Sequence, residues 1–184
     1  MAWRAPALAA LRLAIALFPV EMPAEADTNS VETAIKATYL YKFAPYVAWP
    51  GGVLGPPPSA LPLCVVGDDP FGSVLDDAVA GQMVNGHPFL VRRMAVATPQ
   101  AGCDIMFVAG SAQQSVAAAL AATRGLPVLT ITDAQQYGGP SGIINFIVVD
   151  NRVRFEIDPA AASAHGLAIS SKLLSLAVNA AMYK

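Results

Sequence analysis

Asp68 and Asp69 follow directly on the apolar run LCVVG, residues 63–67 of the 184-residue chain. Adjacent carboxylates at the end of a buried strand stand where open α/β sheets present ligands, so Asp68, Asp69, Phe71 and Ser111 form a candidate ligand pocket. The same acids suit Mg²⁺, as in a phosphorylation receiver. That chemistry needs another acid at the end of the next parallel strand, where Ala109-Gly110-Ser111 stands instead. A turn and a helix cap account better for the two aspartates. The segment has neither G-x-G-x-x-G nor G-x-x-x-x-G-K-[ST] spacing, so it carries no dinucleotide or phosphate-loop signature. His87 and His165 lack a Cys, His or acidic neighbour at zinc-ligand spacing. Ser170-Ser171-Lys172 is not a Ser–Lys dyad, because a serine is needed three residues before the lysine and position 169 is Ile. No nucleophile–base pair can be named. The chain reads as non-enzymatic, with no catalytic residue, metal or cofactor.

The two cysteines, Cys64 and Cys103, leave two readings open: a disulfide or a pair of buried thiols. In an exported protein a pair of cysteines favours the bridge, which in the loop-entropy account stabilises by about 4 kcal/mol. One feature opposes it. Counted back from the strand-ending Gly67 and Gly110, the cysteines lie at different depths, and bridging requires their Cα atoms within about 7 Å.

Export is read from the N-terminus. Arg4 and Arg12 supply positive charge, residues 13–18 are apolar, and Ala24-Glu25-Ala26 is an A-x-A cleavage pattern. Residues 1–26 are therefore expected to be a signal peptide, and 27–184 a single domain in the periplasm. Hydrophobic residues make up 55% and charged residues 13%, which excludes a disordered chain. A net charge of −2 without a basic run argues against nucleic acid as a partner.

The elements that must position these residues follow from periodicity. Asn29 and Glu32 resemble a helix-start box, and residues 31–49 carry a helical pattern. Its two apolar faces mean either burial within the domain or a small-residue face, Ala37, Tyr41, Ala44 and Ala48, turned to a partner or second copy. Strands are expected at 61–66, 88–94, 105–109 and 128–132. Helices capped by Asp69-Pro70 and Ser111 should run to about 80 and to 124. Residues 143–149 and 152–157 flank Asp150-Asn151, a two-residue hairpin, and short helices start at Asp158-Pro159 and at Ser170 or Ser171. The order predicts an α/β fold: a Rossmann-like, mainly parallel sheet with helices on both faces and a C-terminal antiparallel hairpin.

The stretch ATYLYKFAPYVAWP, residues 37–50, resembles the K-x-x-Y-L-x-x-F-x-x-F-x-x-W-P opening of the YfiR family. LCVVGDDPFG, CDIMFVAGS and LTITD follow in that family's order, and RVRFEIDPAAASAHGLAISSKLLSLA is similar to its C-terminal block. The resemblance implies a periplasmic repressor that dimerises and binds the periplasmic part of an inner-membrane diguanylate cyclase, lowering cyclic-di-GMP and biofilm formation. It also implies an outer-membrane lipoprotein that sequesters the repressor. Cys64 and Cys103 match one cysteine pair of the family, which favours the bridge; a second pair near the last hairpin has no counterpart here. The competing expectation is a small-ligand periplasmic binding protein with its pocket at the strand ends.

Overall fold

The computed structural model describes Met1 and residues 25–179, so the signal-peptide reading falls on residues that lie almost wholly outside the described ones. Helix α1 (Glu25–Lys42) starts before the Asn29–Glu32 box and ends earlier than the periodicity predicts. Pro45 is the reason for the early end. It lacks an N–H and its ring clashes with the carbonyl four residues back, so the chain tightens into a 3₁₀ turn, Ala44–Tyr46, and then extends as β1 (Val47–Ala48).

The remaining elements alternate: β2 (Leu61–Gly67), α2 (Ser73–Val79), β3 (Met83–Val84), β4 (His87–Met94), β5 (Ile105–Gly110), α3 (Val116–Ala122), β6 (Leu129–Thr132) and α4 (Ala134–Tyr137). A hairpin, β7 (Ile144–Val149) and β8 (Arg152–Ile157), precedes α5 (Pro159–Ala164), β9 (Ala168–Ile169) and α6 (Ser171–Leu174). Seven strands form one sheet in the order β3-β4-β2-β5-β6-β7-β8, parallel through its centre and antiparallel at both edges. The expected fold class is the one found. Asp150 and Asn151 turn the hairpin with φ of 49° and 59°, the left-handed pair a tight two-residue loop demands. A separate ribbon, β1 with β9, was not foreseen.

Alternation along β2 divides the core. Leu61, Leu63 and Val65 face one cluster with Leu40 of α1, Phe43 just past its end and Leu75 of α2. Cys64 and Val66 face a smaller cluster with Val116 and Ala119 of α3. Two expected caps move. Asp69 accepts from Phe71 N–H in a turn ahead of α2, rather than capping it. Ser111 accepts from the Gln113 and Gln114 N–H groups, and Ser115, four residues on, caps a shorter α3 by accepting from Ala118. The last helix is also short; beyond it Val178 N–H donates to Phe155 O, while the Asn179 side chain accepts from Ile157 N–H and donates to Ile157 O. The outer edge of β8 is thereby occupied.

At the centre of the sheet Gly67 has φ of +90°, and a Cβ there would fall 2.3 Å from Gly110 O. Asp68 N–H donates to that same oxygen at 2.9 Å. Gly67→Ala must therefore push β2 and β5 apart and adopt a strained φ. We expect a loss of about 3 kcal/mol in urea unfolding; a loss below about 1 kcal/mol would show that the two strand ends separate freely.

Candidate functional site at the carboxyl edge of the sheet

The carboxyl ends of β2, β5 and β6 open on two adjoining hollows. The larger, about 640 Å³, is lined by Glu32, Lys36, Asp68, Asp69, Asp133 and Tyr137. The smaller, about 420 Å³, lies where strand order reverses, between Asp68, Gly110, Ser111 and Tyr137. Gly110, which packs against Gly67, is part of its lining.

Lys36 shares the inward stripe of α1 with Leu40 and Phe43 and is 4% exposed. Its ammonium donates to the carboxylates of Asp133 and Glu32, and reaches Gln136 Oε1 at 3.5 Å. Asp133 is buried as well, and its second oxygen accepts from Gln136 N–H, capping α4. A polar frame fixes this corner, where only two register pairs join β6 to β7. Thr132 Oγ1 donates to Asn145 Oδ1 and accepts from Gly142 N–H, and Asn145 Oδ1 also accepts from Ala134 N–H. These side-chain bonds replace ladder bonds and set Asp133 over the strand end.

Asp69 and Asp76 clamp Arg93: Asp69 Oδ2 accepts from Nε at 2.6 Å and Asp76 takes both terminal nitrogens. Asp76 first, then Asp69, push the guanidinium's pKa above its already high ordinary value. Burial, then the charges of Asp133, Asp69 and Asp68, push the Tyr137 phenol up to about 12, so it stays a neutral hydrogen-bond donor. Asp68 is exposed. The hollow thus offers carboxylates and one phenol to solvent, while its lysine is already engaged, so an anionic ligand would be repelled.

Of the expected pocket residues, the structure brings Asp68, Asp69 and Ser111 to this edge. Phe71 is a correction: it is 3% exposed and packs edge-on against Phe107 in the core. Sequence reasoning missed Lys36, Asp133 and Tyr137. The expected interface face is also corrected. Ala37 and Ala44 are buried in the domain's own core, Tyr41 is half-buried against Phe89, and of the four only Ala48 is exposed. That face packs on the sheet, because the chain turns at Pro45 and folds β1 back against β9.

Cys64 and Cys103 form a disulfide with Cα atoms 5.9 Å apart. The depth mismatch is resolved by a turn at Gly102, φ +63°, which lifts Cys103 off the strand line and over Cys64. Thiol assay of unfolded, unreduced protein should find neither cysteine free; two free thiols would remove the bridge.

The structure also gathers Ser59, His87 and Asp104. His87 Nδ1 lies 2.8 Å from Ser59 O, a contact in which only the ring nitrogen can donate, and Ser59 Oγ donates to Leu54 O. A protonated Nδ1 takes no proton from Ser59 Oγ 3.3 Å away, so the trio is not a nucleophile and base. Among the described residues no group of three or more His, Cys, Asp or Glu could hold a metal, and no helix is long and apolar enough to cross a membrane.

The model of the YfiR/HmsC-like family matches residues 33–178. No curated protein matches significantly. The match runs from α1 through the seven-stranded sheet to the segment on the β8 edge, taking in both core clusters. This chain belongs to the YfiR/HmsC-like family, a family of regulators in cyclic-di-GMP signalling rather than of catalysts.

Proposed function

We propose that this chain is a periplasmic repressor that acts as a homodimer, binding the periplasmic part of an inner-membrane diguanylate cyclase and thereby lowering cyclic-di-GMP and biofilm formation. An outer-membrane lipoprotein that sequesters it would release the cyclase. The family match across residues 33–178 carries this reading. Two features of the fold are in keeping with it. Lys36 and Asp133 at the carboxyl edge are spent on holding α1 and α4, and the serine nearest a histidine is not activated. Meanwhile α1 turns Val31, 57% exposed, and Ile35, 40% exposed, outward one helical turn apart.

Deleting the gene should raise cellular cyclic-di-GMP, and the protein should co-purify with a membrane-bound cyclase. Unchanged cyclic-di-GMP together with failure to retain any such cyclase would overturn the proposal. At the surface, Val31→Glu with Ile35→Glu should weaken self-association or cyclase capture at least roughly tenfold, by placing charge in an apolar contact. Sedimentation and capture assays read this, and circular dichroism should stay unchanged because both positions face outward.

A further inference from the structure

At the opposite, amino-terminal end of the strands lies a third hollow, of about 390 Å³. Its lining mixes apolar side chains, Leu54, Pro62, Met106, Leu126 and Val128 beside the bridged Cys103, with the polar Thr98, Asp104 and Thr123. Asp104 is the one acidic residue of its lining. The backbone of Asp104 is fully engaged, its N–H donating to Pro62 O and its carbonyl accepting from Leu129 N–H. Its side chain differs, since among the described residues no hydrogen-bond donor reaches it. Thr123 also lines the hollow, with its hydroxyl donating to Leu120 O.

Burial pushes the Asp104 carboxyl up to about 6, opposed only by the nearby charge of His87. A half-buried carboxylate without donors costs stability that an asparagine or an apolar residue would not. Such a group in a concave hollow is the usual mark of a binding site, and the volume falls at the small end of the ~300–1,000 Å³ that ligand sites occupy. The lining limits what fits. An anion meets a like charge. A hard cation needs six or more oxygens, and a lining with a single carboxylate does not provide them. A neutral apolar molecule leaves the carboxylate unpaired. A primary amine on a small apolar body satisfies both the apolar side chains and the carboxylate.

We propose that the hollow between Pro62, Met106 and Leu126 is a binding site for a small apolar primary amine, whose ammonium donates to Asp104. The site is independent of the cyclase-binding reading and lies at the other end of the sheet from the carboxyl-edge hollows.

The test uses 2-phenylethylamine and n-pentylamine as probes, with 2-phenylethanol and 1-pentanol as neutral isosteres, on the full chain by calorimetric titration and thermal shift. At least one amine should bind and raise the unfolding midpoint, with the matching alcohol weaker by roughly tenfold or more, the value of one charge-assisted bond. Asp104→Asn should weaken the amine by a similar factor and leave the alcohol unchanged. That the variant is folded can be checked by its own stability. Between the ordinary carboxyl value of 3.8 and about 6, the folded chain keeps a proton that the unfolded chain has lost, so ionisation costs stability as pH rises through that window. Asp104→Asn should therefore raise the midpoint at pH 7 and leave it unmoved at pH 3. Binding of neither amine, equal binding of amine and alcohol, or unaltered amine binding by a folded Asp104→Asn variant would each overturn the proposal.

Discussion

Lys36→Met should destabilise the protein by about 3–5 kcal/mol, the cost of leaving a buried carboxylate without its counter-charge. The side chains of Lys36 and Asp133 are 5% and 3% exposed, so water replaces little of what the ammonium gives Asp133. Glu32 is different: at 30% exposure it can rehydrate, and its loss of the contact costs little. Asp133 cannot move away, because its other oxygen caps α4 and Thr132, the residue before it, is fixed through Asn145. Asp133→Asn in the same chain removes the stranded charge and retains an oxygen for Gln136 N–H. The double variant should thus recover about 2 kcal/mol or more of the single variant's loss. Urea unfolding of both variants at neutral pH measures the difference. A single variant that lost less than about 1 kcal/mol would mean that water reaches the pair, and that α1 is held by its apolar stripe alone.

Replacing both cysteines, Cys64→Ala with Cys103→Ala, should cost about 4 kcal/mol by the loop-entropy argument for residues 39 apart. For a chain of this size the unfolding midpoint should fall by roughly 10 °C. Burial adds a kinetic expectation. Cys64 is 0% exposed and Cys103 6%, so a reductant has little access to either sulfur while the sheet and α3 are packed. Reduction of the folded protein should be slow and should accelerate sharply in urea, as followed by thiol release. Fast reduction in native buffer would show that the turn at Gly102 opens on its own. In that case the bridge would be poised to switch; the packing describes one that only holds.

What the sequence made readable is what local pattern encodes. The strand runs ending at Gly67 and Gly110 are continuous apolar stretches buried on both faces, and the Asp150-Asn151 turn is set by residues that favour positive φ. Helix extents are another matter. Residues 111–124 are rich in alanine, yet their first part is a turn because local bonds compete with the helix: Ser111 N–H donates forward to Gln114 O, against helical polarity, and the Gln114 side chain is tied to Ala97. The same competition removes Asp69 as a cap. The carboxyl-edge cluster was beyond reach because its partners, Lys36 and Asp133, are 97 residues apart and no spacing rule links them. A signal for half of it existed: Lys36 sits on one helical stripe with Leu40 and Phe43, a place where a charge must be paired. The disulfide shows the converse. Counting residues from the strand ends argued against it, and one glycine turn outside the strand reversed the geometry.

The side-chain clamp of Asn179 on Ile157, with Val178 bonded to Phe155, does for β8 what a neighbouring strand would do. Unpaired strand margins recruit strands from other molecules, so these last residues guard the protein against fibrillar self-adhesion. A clip that removes Val178 and Asn179 would turn a closed margin into a sticky one. Preparations made that way would overstate self-association, and any oligomer seen in them should be checked against protein that retains its own carboxyl-terminal residues.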